Sequence, residues 1–131
     1  MKKFLVCICL VALAVVLPSA KGSHALEFKE TTYDFGNIAD THAPVVHEYE
    51  FVNVADEPVA VLSVSTGCGC TRPEYPAKPI DPGKSGKIKI TFLPAGQRGD
   101  INKDIKVRYR AATARSSKRI TLRLNGHVTP E

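Results

Sequence analysis

The residues best suited to chemistry are two cysteines separated by one glycine, Cys68 and Cys70, in the stretch Thr66-Gly-Cys-Gly-Cys-Thr71. In a flat strand, the β-carbons of residues two apart lie about 7 Å from each other. A disulfide needs these atoms about 3.5–4.5 Å apart, so it would require a tight bend at Gly69, which glycine permits. Because a bond closed in this way would be easily reduced, it suits a redox role better than a structural one.

Two other interpretations of the cysteine pair stay open. Two thiolates on one flexible loop can bind a single copper(I) or zinc ion, and such ions accept sulfur at about 2.3 Å. Zinc normally takes four ligands, and the available histidines, His42, His47 and His127, have no diagnostic spacing to the pair. Alternatively, both cysteines fill the end of a β-structure as small buried residues. The motif loop around the pair also contains Gly67, Gly69, Thr71 and Arg72.

No other group of residues in the sequence has the pattern of a catalytic site. Glu48 and Glu50 alternate along one predicted strand, where a solvated polar face is the expected role. Arg98-Gly99-Asp100 matches a three-residue adhesion motif, but a turn leading into the strand near Ile101 explains it. We therefore expect a protein that is not an enzyme and, apart from the copper or zinc interpretation, has no cofactor.

Short β-strands are predicted to position the cysteine pair. Apolar and polar residues alternate with a period of two in most of the chain, which is typical of half-buried strands. Seven such segments begin at Leu26, Tyr33, Val45, Val59, Lys87, Ile105 and Arg119. Turn signals rich in glycine and proline separate them, and no segment has helical periodicity. The pattern predicts an all-β domain, an immunoglobulin-like antiparallel β-sandwich of about seven strands.

The N-terminus has the features of a secretory signal peptide. Met1-Lys2-Lys3 precedes an uncharged apolar run over residues 4–17, and small residues follow. This run is shorter than the roughly 20 residues that span a bilayer as a helix. We predict a signal peptide over residues 1–25 and the domain over residues 26–131, with cleavage after Ala25 or, alternatively, after Ala20 or Gly22. The mature chain would then be extracytoplasmic, either periplasmic or secreted, without a transmembrane span.

The charge of the predicted mature chain is nearly balanced but unevenly distributed. The full sequence has a net charge of +5, and residues 26–131 keep 15 basic and 13 acidic side chains, which makes nucleic acid a poor partner. Residues 26–83 hold 10 of the acidic side chains, and residues 84–123 hold 12 of the basic ones. Neighbouring basic strands would form a cationic face for an anionic partner. We favour the alternative, in which acidic strands lie beside basic ones. The basic residues concerned are Lys87, Lys89, Lys106, Arg108, Arg119 and Arg123.

Several motifs follow one another in a characteristic order. They are Tyr33-Asp-Phe-Gly36, Glu48-Tyr-Glu-Phe-Val-Asn53, Gly67-Cys-Gly-Cys-Thr71, Ile80-Asp-Pro-Gly-Lys-Ser-Gly86 and Leu122-Arg-Leu-Asn-Gly126. From about Leu26 to Val128, the chain resembles the bacterial secreted domain-of-unknown-function family 1573, whose members carry a Cys-Gly-Cys-Thr motif. The resemblance implies an immunoglobulin-like β-sandwich similar to the Hydin and major-sperm-protein type domains, which mostly mediate binding.

The function we expect is that of an extracytoplasmic binding module of the bacterial cell envelope. Its functional edge would be the segment from Gly67 to Gly83, called the rim below, because recognition usually resides in loops on a rigid scaffold. The expected partner is an envelope protein or an anionic surface component. The alternative function is thiol redox chemistry or soft-metal binding by Cys68 and Cys70.

Overall fold

Eight β-strands make up the part of the chain that the computed structural model describes, residues 24–130. They are β1 (Leu26–Phe28), β2 (Thr32–Ala39), β3 (Val45–Asn53), β4 (Val59–Ser65), β5 (Thr71–Glu74), β6 (Ser85–Phe92), β7 (Gly99–Ala111) and β8 (Lys118–Thr129). Within residues 24–130, no helix is long and apolar enough to cross a membrane. Residues 1–23 of the predicted signal peptide lie outside the described residues, as does Glu131.

The strands form two four-stranded sheets. Sheet A has the order β1-β3-β6-β5, and sheet B has the order β2-β8-β7-β4. Alternate residues of both sheets are buried between them, as the period-two pattern predicts, and the largest of these include Tyr49, Phe51, Phe92, Tyr109 and Leu124. The two sheets therefore enclose one core, and the prediction of an all-β, immunoglobulin-like sandwich is confirmed.

A buried tyrosine couples the two sheets. The hydroxyl of Tyr49 in β3 donates a hydrogen bond to the backbone carbonyl of Arg123 in β8, at 2.6 Å. Burial raises the pKa of the Tyr49 hydroxyl far above its usual value, and the Glu30 carboxylate and the Tyr33 hydroxyl add to the rise. The proton of this hydroxyl is therefore held firmly in the folded state.

The structure differs from the sequence prediction at β5, which brings the number of strands to eight. The sequence pattern places Thr71–Glu74 in a proline-rich loop, but these residues pair with β6, from Thr71 opposite Phe92 to Glu74 opposite Lys89. β5 is an edge strand of sheet A, and an edge position tolerates Pro73 although it has no N–H to donate. The prolines around β5 therefore led the sequence pattern to indicate a loop instead of a strand.

One strand pair is parallel, whereas the sequence analysis expects an antiparallel sandwich throughout. β2 runs parallel to β8, with Tyr33 opposite Leu124 and Ile38 opposite Val128. Residues 29–31 link β1 in sheet A to β2 in sheet B, so the chain changes sheet before it pairs with β8.

Candidate functional site

Cys68 and Cys70 lie in the turn that carries the chain from β4 in sheet B to β5 in sheet A. A disulfide joins their sulfur atoms, and their α-carbons are 5.3 Å apart. The chain turns across Gly69, as the sequence suggests, because the Thr71 N–H donates to the Cys68 carbonyl, and just before this turn Gly67 has a φ of +66°. Since this backbone conformation costs an L-residue about 1–2 kcal/mol, glycine is required at position 67 rather than at position 69.

Hydrogen bonds anchor the disulfide turn to the sandwich. The Thr66 hydroxyl lies 3.2 Å from the carbonyl oxygen of Cys68 and 3.1 Å from that of Thr71, and it can donate to either. The backbone N–H of Leu93 donates to the Cys70 carbonyl at 2.8 Å, and that of Thr71 donates to the Cys68 carbonyl at 3.3 Å. The turn is therefore fixed to the start of β5 and to the residue that follows β6.

The other residues of the predicted motif loop divide between the turn and β5. Gly67 and Gly69 are exposed, and a methyl group added at Gly69 would meet no atom within 4 Å. Thr71 is the buried first residue of β5, and Arg72 is exposed beside it. The two glycines and Arg72 are thus the exposed residues of the motif.

Each histidine considered as a metal ligand has a different neighbour. His42 Nδ1 lies 2.6 Å from the carbonyl oxygen of the next residue, and His127 Nδ1 lies 2.8 Å from Asp100 Oδ1. His47 stacks on Tyr33, with ring centroids 3.7 Å apart. Among residues 24–130, no group of three or more His, Cys, Asp or Glu is arranged to hold a metal ion. Metal binding by the cysteine pair would therefore depend on the two sulfurs alone, after reduction.

A trough runs from the disulfide along the outer face of sheet B, between β4 and β7. Its first part is a cleft of ≈ 330 Å³ beside Gly67 and Cys68, and Lys103 and Asp104 of β7 form its far wall. A second cleft of ≈ 300 Å³ shares Ser65 and Lys106 with the first and continues to Ser63, Arg108 and Arg119. The predicted rim therefore adjoins a continuous polar groove.

Four basic side chains form a cationic patch along and beside this trough. They are Lys106, Arg108, Arg110 and Arg119, and within the described residues none of them lies within ion-pairing distance of a carboxylate. Arg108 and Arg119 are even directly opposite each other on neighbouring strands. Like charges in such a pair are destabilising, so the patch raises the free energy of the folded chain.

The outer face of sheet A shows the opposite arrangement. Lys87 lies 3.2 Å from Glu48, and Lys89 lies 3.6 Å from Glu74. Lys29 lies 2.8 Å from Glu50, and their hydrogen bond lowers the pKa of the Glu50 carboxyl. The pairing of acidic with basic strands expected from the sequence thus describes sheet A, but it does not describe the cationic patch of sheet B.

A protein-family model matches residues 26–128 of the sequence, and the family is described as "Protein of unknown function (DUF1573)". The chain belongs to this family. No curated protein sequence matches the chain.

Solved structures similar to this DUF1573 chain share its fold. A protein of unknown function from Porphyromonas gingivalis W83 has a TM-score of 0.66 at 20% identity, covering 79% of this chain and 46% of that one. The PapD-like domain 7 of human CEP192 has a TM-score of 0.64 at 17% identity, covering 82% and 87%. The VesB protease of Vibrio cholerae has a TM-score of 0.64 at 13% identity, covering 79% and 32%. The DUF1573 chain thus spans about a third of the protease and less than half of the P. gingivalis protein.

Several residues of the DUF1573 trough are not among the candidates of the sequence analysis, including Ser63 and Ser65. These two serines lie at alternate positions in β4. Their spacing was the available signal, because two polar residues at alternate positions indicate one solvated face. Arg110, which lies in β7 just before its last residue, Ala111, is likewise not among those candidates.

Proposed function

We propose that this DUF1573 chain is a non-enzymatic binding module of the bacterial cell envelope, and that its rim recognises a partner protein. The observation that carries the proposal is the trough, which begins at the disulfide turn and is lined by polar and basic side chains on a rigid pair of sheets. Recognition residues on such scaffolds are commonly found in the loops and at the strand ends. The PapD-like fold of a similar structure agrees with an interaction role.

The side chains lining the trough favour binding over catalysis. Asp104 lies 3.5 Å from Arg123 Nε, and the sulfur of Cys68 is bonded to that of Cys70. The remaining lining groups are serine and threonine hydroxyls, one amide and basic side chains. Such groups supply hydrogen bonds and charge to a ligand, whereas nucleophilic catalysis needs a base beside the nucleophile.

The envelope location rests on the N-terminal sequence. The basic start and the apolar run of residues 4–17 are typical of exported proteins. An oxidising compartment also suits a disulfide, which is rare in the cytosol. Fractionation of cells that express the full chain tests this part, with the periplasmic or secreted fraction as the expected location and a cytoplasmic pool as the contrary result.

Site-specific photo-crosslinking in intact cells tests the binding role. Tyr75, in the loop that follows β5, is 40% exposed, and a benzoylphenylalanine at this position would project from the rim. Val46 in β3 is 51% exposed on the outer face of sheet A and serves as the matched control position. We expect a discrete crosslinked protein from position 75 and none from position 46. Equal yields from both positions, or none from either, would contradict the proposal.

A second candidate function, thiol exchange or soft-metal binding, is favoured by the disulfide itself. The bond closes a loop with a sequence separation of only two, and Cys68 and Cys70 are both half-buried. So short a loop restricts the unfolded chain little, by about 1–2 kcal/mol, so the domain is expected to fold in both oxidation states. In exchange, a thiolate of a partner dithiol would attack the bond, leaving Cys68 and Cys70 reduced and the partner oxidised.

Thiol trapping and metal titration separate this candidate from simple binding. Alkylation of cells before lysis should find a reduced fraction of Cys68 and Cys70 if the pair exchanges electrons in vivo. Copper(I) titrated into the reduced domain should bind the wild type and not the Cys68→Ser/Cys70→Ser variant. A fully oxidised pair in cells, together with equal copper uptake by both proteins, would eliminate the second candidate.

A further inference from the structure

The four edge strands of the sandwich differ in how well they are protected from pairing with another chain. β1 has only three residues, and β5 has four and contains Pro73. β2 is broken by a register shift between Asp34 and Asn37. Short strands, prolines and bulges are devices that block the addition of a further strand. Each of these three edges therefore carries such protection, and β4 shares one of these devices, a register shift between Val61 and Ser63.

β4 is the least protected of the four edges. Its sequence is Val59-Ala-Val-Leu-Ser-Val-Ser65, which has neither a charge nor a proline and is rich in β-branched residues. Ile80 pairs with Val59 at its start, and a register shift lies between Val61 and Ser63. Beyond that shift, β4 runs as the outermost strand of sheet B up to the disulfide turn. Its last residues, Ser63 to Ser65, therefore present an open backbone edge next to the rim.

The outer face of β4 gives access to the cationic patch. Ser63 lies opposite Arg108, and Ser65 lies opposite Lys106. Because serine side chains are short, they leave open the second cleft of the trough, which extends from both serines to Arg108 and Arg119. An acidic side chain placed beside β4 can therefore reach over the serines to the basic groups of β7.

We propose that β4 binds an acidic, extended segment of a partner polypeptide as an added strand of sheet B. The backbone of the segment pairs with the open edge at Ser63–Ser65, and its alternate carboxylates lie over the serines toward Lys106 and Arg108. This inference rests on the proposed binding function and names the chemistry of the partner. It also brings carboxylates within reach of basic groups that no described carboxylate approaches to ion-pairing distance.

A polypeptide fits these observations better than an anionic membrane or a glycan. The patch alone would attract any polyanion. The open edge of β4, however, offers backbone N–H and C=O groups in the spacing that an extended chain matches, and strand addition is a general mode of peptide recognition. Among the four edges, the stretch of β4 beyond its register shift is the one that lies directly beside the patch.

The test uses a synthetic acetylated peptide, Thr-Glu-Val-Glu-Val-Glu-Thr, titrated against the whole domain. Three comparison probes are the same peptide with Lys in place of Glu, the Glu peptide with every backbone amide N-methylated, and vesicles rich in anionic phospholipid. We expect the Glu peptide to bind, with an affinity that falls as salt is added, and to bind on the order of tenfold more tightly than the Lys and N-methylated peptides.

Matched variants locate the binding surface. Ser65→Glu places a carboxylate opposite Lys106 on an exposed position, so it should leave folding intact and weaken the peptide on the order of tenfold. Lys106→Gln/Arg108→Gln should weaken it similarly. Lys87→Gln/Lys89→Gln makes the same change of charge on sheet A and should leave the affinity unchanged. Thermal unfolding of each variant confirms that the domain is folded.

Three results would overturn the proposal. They are equal binding of the Glu and Lys peptides, equal binding of the N-methylated peptide or of the anionic vesicles, and equal weakening by the sheet A and sheet B variants. None of these results would affect the outcome of crosslinking at Tyr75, because crosslinking tests whether the domain binds a partner at all. If crosslinking at the rim succeeds and the peptide result fails, the module stands without this mode of recognition.

Discussion

The outer faces of the two sheets contain basic strands of similar sequence, but the consequences differ. β6 lies between β3 and β5, and acidic residues of these two neighbours pair with Lys87 and Lys89. β7 lies between β8 and β4, and β4 contains no charged residue to pair with Lys106 or Arg108. The difference teaches that the order of the strands, not the charge on a strand, decides whether a basic face is neutralised.

The difference also bears on function, because an uncompensated cluster of like charge lowers stability unless a ligand offsets it. Local conflicts of this kind in an otherwise consistent sequence commonly mark functional sites. Sheet A pairs the basic side chains of β6 with carboxylates of its own strands. Sheet B keeps its basic charge toward solvent, beside an open strand and beside the disulfide turn, and we propose that this charge contributes to recognition.

The contact between the two halves gives the largest expected effect. Tyr49→Phe removes the hydrogen bond from β3 to the carbonyl of Arg123, at 2.6 Å, and leaves that carbonyl with one partner fewer. We expect a loss of about 1–2 kcal/mol in the free energy of unfolding, measured by urea denaturation at neutral pH. A loss below a few tenths of a kcal/mol would mean that this hydrogen bond does not couple the sheets.

The same variant should also change the pH dependence of stability. Burial raises the pKa of Tyr49, so the folded chain keeps a proton that the unfolded chain loses above about pH 10. The wild type therefore loses stability as the pH rises above about 10, toward and through the raised pKa. Tyr49→Phe should lose less over this range. Part of the slope will remain, because burial also raises the pKa of Tyr109.

The crossing from sheet B to sheet A at the disulfide turn gives the next effect. Gly67→Ala forces an L-residue into a φ of +66° and should cost about 1 kcal/mol of stability. Gly69→Ala is the matched control, since its methyl group meets open space and its φ is not in the left-handed region. Equal unfolding midpoints for the two variants would show that the turn does not depend on the conformation of Gly67.

The segment before β1 also touches both halves. The backbone carbonyl of Ala25 accepts a hydrogen bond from Val54 N–H at 2.9 Å, next to sheet A, and His24 Nδ1 lies 2.8 Å from the Tyr109 hydroxyl in sheet B. A chain that begins at Leu26 should therefore be less stable than one that begins at Ser23 by about 1 kcal/mol, measured by urea denaturation.

The position of signal cleavage decides whether the mature chain keeps these contacts. Cleavage after Ala20 or Gly22 would retain His24 and Ala25, whereas cleavage after Ala25 would remove both. N-terminal sequencing of the exported protein identifies the position. Equal stability of the chains that begin at Ser23 and at Leu26 would show that these contacts do not stabilise the domain.

The sequence predicted the fold well where the information is local. Alternation in β3, β6 and β8 reports directly which side chains face the core, since side chains in a strand point to opposite faces in turn. The sequence did not reveal β5, because a proline such as Pro73 is compatible with a loop and also with an edge strand. The parallel pairing of β2 with β8 depends on residues far apart in the chain, and no local pattern encodes it.

The candidate site was predicted only in part, for a similar reason. Cys68 and Cys70 stand out from the sequence, but three interpretations of the pair were open because the distance between their sulfurs depends on how the turn enters β5. The basic residues of β7 and β8 were also visible in the sequence. Whether they are neutralised depends on the neighbouring strand β4. The sequence does not show that its serines, Ser63 and Ser65, lie beside Arg108 and Lys106, because this pairing is known only from the structure.

The smallest expected effect tests the comparison of the two faces most directly, because its sign should differ between them. Arg108→Glu creates an opposite-charge pair with Arg119 and should stabilise the domain by a few tenths to about 1 kcal/mol. Lys87→Glu makes the same change of charge beside Glu48 and Glu50 and should destabilise it by a similar amount. Urea midpoints at low and high salt measure both, and the difference between the variants should shrink as salt screens the charges. If both variants shift the midpoint in the same direction, the two faces do not differ in charge compensation. The cationic patch would then no longer support the inference of a binding site for an acidic partner.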